Sequence, residues 1–143
     1  MDARTLSLPI STLNLNQPCC VGVGTWVSEA IHLMQSGRFG CILVVDEQQH
    51  LVGIITDRDL LVRMMGKGLN PANVKVDDIM TPSPESLRAN DPIAFALNRM
   101  HLGHYRHIPL IVSDGERVYP VGIVSSKDIL NHVATFLGAN QEE

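Results

Sequence analysis

The amino-acid sequence predicts an α/β (α+β) fold made from two copies of one unit, each an extended segment followed by helix, strand, strand and helix. The prediction rests on three observations. An apolar helical pattern occurs twice, and uncharged β-branched strands follow each copy of it. The composition is that of an aliphatic globular chain, since 45% of the residues are hydrophobic but only 4% are aromatic. A chain of 143 residues is long enough to bury such a core.

The first helix of each copy shows the repeat most clearly. Apolar residues with the spacing i, i+3, i+4, i+7 line one face of a helix. This pattern occurs as Val27, Ala30, Ile31 and Met34, and again as Ile93, Ala96, Leu97 and Met100. Each pair of equivalent positions is 66 residues apart (93 − 27 = 66). A constant offset over four positions indicates an internal duplication.

Residues at both ends of these helices fit the same interpretation. Thr25 and Asp91 are side chains that commonly cap a helix start, and Pro92 suits the first helical position, where no backbone N–H is needed. Gly37 and Gly103, again 66 residues apart (103 − 37 = 66), suit the helix ends. We therefore expect each apolar pattern to form a helix that begins after the capping residue and ends at the glycine.

The remaining elements follow in the same order in both copies. In the first copy the strand, turn, strand and second helix are expected at 42–45, 46–50, 51–56 and 57–65. In the second copy they are expected at 108–111, 113–117, 120–125 and 126–137. The connection between the two strands is three residues longer in the second copy, at 112–119 against 46–50, and this raises the offset to 69 (120 − 51 = 69). The extended segments that begin the copies are 17–23 and 82–89.

These patterns define a domain organisation. The first repeat is expected at 11–66, a linker with glycine and proline at 67–76, and the second repeat at 77–137. Residues 1–10 and 138–143 are expected to be polar or irregular tails. Two units of roughly 60 residues are each too small to bury their own faces well, so they should pack as a pseudo-twofold pair.

Four motifs resemble the CBS domain, the module named after cystathionine β-synthase. Residues 53–60 (GIITDRDL) and 122–130 (GIVSSKDIL) are similar to its signature. Residues 76–82 (VDDIMTP) resemble the beginning of a second CBS repeat, and residues 105–110 (YRHIPL) resemble the beginning of its middle strand. The resemblance covers about residues 11–137. It implies two repeats packed as one Bateman module, with adenosine-containing ligands bound in clefts between the repeats.

The repeated Thr/Ser-x-x-Asp motif supplies the first candidate site residues. The resemblance implies that Asp59 and Asp128 bind the ribose hydroxyls, and that Thr56 and Ser125 contact ribose or phosphate oxygens. A helix start also offers free N–H groups to an anion. The alternative is a purely structural role, because the same spacing forms a capping box.

The other candidates are cations and apolar residues. Phosphate contacts are expected from Arg58, Lys127, Arg106 and His107, with solvated surface charge as the alternative. Contacts to adenine are expected from Ile55 and Val124, with ordinary strand core as the alternative. The resemblance implies further adenine contacts from Val21 and Leu87, in the extended segments that begin the repeats. The first copy has Gly40 and Cys41 where the second has Arg106 and His107, so we expect unequal clefts.

Several function classes are disfavoured. His101, His104 and His107 form H-x-x-H-x-x-H, but no nearby carboxylate or cysteine completes a metal site, so we expect none. A net charge of −4 disfavours broad nucleic-acid binding. The three cysteines favour reduced, buried structural thiols and a cytoplasmic location over a disulfide framework. We expect neither a signal peptide nor a membrane helix.

The sequence therefore predicts a regulatory module and not an enzyme, because no phosphate-binding loop, dinucleotide fingerprint or nucleophile elbow is present. The expected regulatory ligand is AMP, ADP or ATP, with no required cofactor. Binding is expected to change the conformation or the dimer state, and so to signal to a protein partner. The alternatives are an S-adenosylmethionine sensor and a ligand-free dimerising scaffold.

Overall fold

A computed structural model of the chain describes residues 3–141, with side chains for 4–135. The chain divides into two compact units. The first-repeat unit consists of Pro18–Pro84 together with Ser113–Pro120. The second-repeat unit consists of the residues up to Gln17, Glu85–Val112 and the residues from Val121. Each unit therefore contains segments that are distant in the sequence.

The first-repeat unit is built on a four-stranded sheet. Its elements in chain order are β1 Cys20–Gly22, α2 Val27–Gly37, β2 Cys41–Val45, β3 Leu51–Thr56, α3 Asp57–Asp59, α4 Val76–Ile79 and β4 Thr81–Pro82. The strand order is β1-β2-β3-β4, with β1 parallel to β2 and the other pairs antiparallel. The helix that begins with α3 continues as a π-helix over Leu60–Met64 and a 3₁₀ turn over Met65–Lys67.

One aliphatic cluster forms the core of this unit. It joins residues of β1, α2, β2, β3, α4 and the π-helix, among them Val21, Ile42, Ile55 and Ile79. A contact from the hairpin segment 113–120 adds to the unit, because His50 Nε2 lies 3.2 Å from the Tyr119 hydroxyl. His50 Nδ1 also lies 3.2 Å from Asp46 Oδ2, so the ring is held from both sides.

The second-repeat unit contains α1 Ala3–Ser7, α5 Ile93–Gly103 and α6 Ser126–Gln141, with most of the hairpin β5 His107–Asp114 and β6 Arg117–Ser125. Leu87 forms a parallel bridge to Leu110 of β5. The N-terminal segment, residues 3–15, packs into the core of this unit. Ile10 and Leu13 join the same cluster as Ile93 and Ile108, and Ile10 N donates to the Asp91 carbonyl over 2.9 Å.

The structure confirms the predicted order of elements in both copies. Both first helices end at the predicted glycines, and β3 spans the predicted 51–56. The hairpin is longer than expected, because β5 continues to Asp114 and β6 begins at Arg117. From Ala3 to Ile10 the expected irregular tail is instead a helix and a buried turn. The exact repeat boundaries stay a prediction.

The predicted helix caps are wrong. Thr25 Oγ1 donates to the Gly22 carbonyl at 2.7 Å, and Trp26 takes the N-cap position without a side-chain bond. Asp91 accepts from Arg88 N at 2.7 Å and therefore closes a turn, which leaves Pro92 as the N-cap instead of the first helical residue. In both cases the polar side chain stabilises the preceding turn and not the helix.

Both first helices end in the same way. Arg38 and His104 follow the terminal glycines in the left-handed conformation, with φ of 55° and 56°. A Cβ on Gly37 would collide with the ring of Phe39, and one on Gly103 with the ring of Tyr105. Glycine is therefore favoured at both positions by the close approach of an aromatic ring. The left-handed turn itself is made by the residues that follow them.

Candidate functional site

Both repeats turn from strand into second helix through a capping box. In the second repeat, Asp128 Oδ2 accepts from Ser125 N at 2.8 Å and from Ser125 Oγ at 3.0 Å. Asp128 N donates to Ser125 Oγ at 3.2 Å. In the first repeat, Asp59 Oδ2 accepts from Thr56 N at 2.9 Å and from Thr56 Oγ1 at 3.3 Å. The capping role considered from the sequence is therefore present in both copies.

The two aspartates differ in the contacts of their second carboxylate oxygen, Oδ1. Asp59 Oδ1 accepts from Thr81 Oγ1 at 3.3 Å and lies 3.6 Å from Arg63 Nε. Asp128 Oδ1 has no hydrogen-bond or ion-pair partner within residues 3–141. Asp59 is buried, with 8% of its surface exposed, whereas Asp128 is half-buried. The second repeat therefore keeps an available acceptor at a helix start.

The candidate cations are distributed unequally. Arg58, Lys127 and Arg106 are exposed, and His107 is half-buried at the start of β5. The Arg106 carbonyl accepts from Ser126 N at 3.0 Å, which places Arg106 beside the start of α6. Arg106 and Lys127 are therefore two basic residues near Asp128.

The helix starts also differ by one carboxylate. Asp57 is the first residue of α3, where α6 has the neutral Ser126 (126 − 57 = 69). Asp57 Oδ1 accepts from Arg58 N at 2.9 Å. A second negative charge at the start of α3 disfavours an anionic ligand there.

The four apolar candidates belong to the interior of their own repeats. Ile55 and Val124 have no exposed surface, while Val21 and Leu87 expose 8% and 7%. Val21 and Ile55 lie in the core of the first-repeat unit, and Leu87 and Val124 in that of the second. The strand-core alternative describes Ile55 and Val124, and Val21 and Leu87 are core residues as well, so we leave all four out of the proposed site.

The three histidines lie on different elements. His101 belongs to α5, His104 is the left-handed residue after it, and His107 begins β5. Across the part of the chain that the structure describes, no three His, Cys, Asp or Glu side chains are placed to hold a metal ion.

The cysteines are free thiols in three different environments. Cys41 is buried, Cys19 half-buried and Cys20 exposed, so the expectation of buried thiols is wrong for Cys20. Burial raises the pKa of Cys41 to about 12, and the nearby Cys19, Cys20 and Asp57 add to that effect. Cys41 is therefore unreactive as a nucleophile.

Two residues of this region were missed in the sequence. Thr81 lies in the MTP motif, but its approach to Asp59 depends on pairing between β3 and β4. Arg63 follows Asp59 by four residues, a spacing that brings an acid and a base together on a helix. That spacing was the sequence signal that could have predicted the contact between Asp59 and Arg63.

The comparisons with known proteins match this architecture. The family model described as the CBS domain matches residues 18–66 and 76–135. The chain belongs to the CBS domain family. Its α/β fold is that of CBS domain pairs, so the fold expected from the resemblance is confirmed.

Curated relatives match much of this chain. The CBS domain-containing protein CBSCBSPB2 of Arabidopsis thaliana is 32% identical over 107 residues, which are 75% of this chain and 20% of that protein. The chain spans a fifth or less of the length of the first curated relatives that it matches.

Solved structures also have the fold of this chain. A CBS domain pair in complex with 5′-methylthioadenosine and S-adenosyl-L-methionine is 27% identical, with a TM-score of 0.70, covering 87% of this chain and 97% of that one. CBSX2 in complex with AMP is 22% identical, with a TM-score of 0.72 over 90% and 98% of the two chains, and shares the fold. Among the described residues, no helix has the length and apolar character needed to cross a membrane.

Proposed function

We propose that this CBS pair is a regulatory module that binds an adenosine-containing nucleotide, AMP, ADP or ATP, through its second repeat. The observation that supports the proposal is the available Oδ1 of Asp128, at the start of a 16-residue helix. The capping box fixes the carboxylate through Oδ2, so the other oxygen is held in a defined direction. A carboxylate oriented in this way accepts hydrogen bonds from ribose hydroxyls.

The charges near Asp128 favour a phosphorylated ligand over a neutral one. Arg106 and Lys127 are exposed cations beside the start of α6, and the helix dipole adds positive potential there. We assign the ribose to Asp128 and Ser125, and the phosphate to Arg106, Lys127 and His107. Thr56, Arg58 and Asp59 form the equivalent but weaker set in the first repeat.

Regulation follows from differential binding. A ligand shifts the equilibrium between two conformations only as far as it binds one more tightly than the other. We propose that this shift changes a homodimer or the contact to a regulated protein partner, that the chain itself catalyses no reaction, and that it acts in the cytoplasm.

Calorimetric titration with AMP, ADP, ATP and S-adenosylmethionine tests this function. Asp128→Asn keeps an oxygen that can cap the helix but removes the charged acceptor, so we expect AMP affinity to fall tenfold or more, about 1.4 kcal/mol. Asp59→Asn is the matched control, with an expected change below about twofold, since Asp59 is already engaged. Thermal unfolding verifies that both variants fold. Equal losses of AMP affinity in the two variants would contradict the assignment of the ribose to Asp128.

An S-adenosylmethionine sensor is the second candidate. The 27% identical domain pair solved with 5′-methylthioadenosine and S-adenosyl-L-methionine favours it. Arg106→Ala with Lys127→Ala distinguishes the two ligands. The double variant should weaken AMP binding but leave S-adenosylmethionine unaffected or bound more tightly, because its sulfonium is positive. No heat with any ligand would leave the scaffold function as the explanation.

A further inference from the structure

The carboxylate of Asp59 is surrounded by side chains of its own repeat. Oδ2 is used by the Thr56 capping box, and Oδ1 by the Thr81 hydroxyl and the Arg63 guanidinium. A carboxylate has roughly four acceptor positions. In Asp59, the ones that a ribose would use are occupied.

Arg63 is held in place by more than this ion pair. Its Nη1 donates to the Met80 carbonyl at 2.9 Å and lies 3.4 Å from the Ile79 carbonyl, at the end of α4. Asp59 and Arg63 are four residues apart, with the acid nearer the helix start, which is the favourable orientation. The guanidinium therefore links α3 to the segment before β4.

The second repeat lacks this arrangement. The position equivalent to Arg63 is His132 (63 + 69 = 132), which cannot supply the guanidinium fork. The strand that carries Thr81 pairs with β3, whereas in the described part of the chain β6 pairs with β5 alone. The equivalent Asp128 is thus free of both contacts.

We infer that Arg63 and Thr81 close the first repeat to a ribose, so that each chain binds one adenosine ligand and not two. This inference rests on the proposed function for the identity of the ligand. Arg63 and Thr81 are specificity-determining residues, since they decide which repeat binds. The additional carboxylate of Asp57 acts in the same direction against a phosphorylated ligand.

The test is the binding stoichiometry of the full chain, measured by calorimetry with AMP and, in parallel, with the neutral 5′-methylthioadenosine. The wild type should bind one ligand, and Asp128→Asn should weaken that binding tenfold or more. The double variant Arg63→Ala with Thr81→Val should bind two ligands. Its affinity for the second ligand should be at least tenfold higher than any affinity of the first repeat in the wild type. Adding Asp59→Asn should remove only the second ligand. Lys67→Ala is the matched control, because it removes a positive charge from the same helical segment.

Arg63→Ala also loses the carbonyl contacts, so Arg63→Gln is measured beside it, and circular dichroism verifies that both fold. Glutamine keeps an amide donor but cannot form the ion pair. Two sites in the wild type, or one site in every Arg63 variant, would overturn the inference. Binding to the Arg63–Thr81 variant alone, lost with Asp59→Asn, would support closure of the first repeat but overturn the single site of the wild type and the proposed second-repeat site. No binding to any variant would overturn both.

Discussion

The two repeats use one capping box but surround it differently. In the first repeat, Asp59 is buried and bound by Thr81 and Arg63, and the helix begins with a further acid, Asp57. In the second, Asp128 is half-buried with one oxygen available, and the helix begins with Ser126. The second carboxylate oxygen of the motif is therefore bound within its own repeat in the first copy, whereas in the second copy it is available to accept a hydrogen bond.

The difference shows that a repeated motif need not mean a repeated site. The capping box needs only residues within one turn, so both copies keep it. In the first copy the surroundings depend on β4, which carries Thr81, and on the end of α4, which binds Arg63. In the second copy the Arg106 backbone lies beside the helix start instead. We therefore expect the repeats to respond differently to equivalent substitutions.

The largest expected effect concerns the N-terminal segment. Ile10 is fully buried in the second-repeat unit, and Ile10→Ala should lower the free energy of unfolding by about 2–5 kcal/mol. Chemical denaturation measures it, with the exposed neighbour Ser11→Ala as control. Ile55→Ala should cost a similar amount in the first-repeat unit. A loss below about 1 kcal/mol for Ile10→Ala would show that the second core does not depend on this segment.

A smaller difference is expected at the terminal glycines of α2 and α5. A methyl group on Gly103 would meet the ring of Tyr105, whose hydroxyl is bound to Glu85, so the ring cannot move freely. Gly103→Ala should cost about 1–3 kcal/mol. Gly37→Ala should cost less than about 1 kcal/mol, since Phe39 has no such tether and can shift. Denaturant midpoints test this, and Tyr105→Phe should reduce the cost of Gly103→Ala.

The smallest effect is a dependence on alkaline pH. Burial and the bond to the Glu85 carboxylate raise the pKa of Tyr105 from 10.0 to about 12. The unfolded chain therefore loses this proton first, so the stabilisation is present below pH 10 and is lost as pH rises toward 12. Denaturation midpoints below pH 10 and near pH 12 measure it. Tyr105→Phe should show a weaker dependence than the control Tyr119→Phe, and equal slopes would contradict the assignment.

Sequence patterns predicted the elements whose causes are local. The apolar spacing and the glycines gave both first helices, and the β-branched run gave β3. Ile10 was missed, because its burial depends on pairing with Asp91 and Ile93, far along the chain. The capping bonds of Asp59 follow from its spacing to Thr56. Its contact with Thr81 depends on sheet pairing, which spacing does not encode.

The interleaving of the two units affects how the protein is made. Residues 3–15 leave the ribosome before Ile93 and Ile108, with which they share a core. His50 likewise cannot form its contact with the Tyr119 hydroxyl until residue 119 has been translated. Neither unit is complete until the chain has emerged to about residue 120. Until then the unpaired apolar segments of the nascent chain are exposed, and chaperones bind such surfaces.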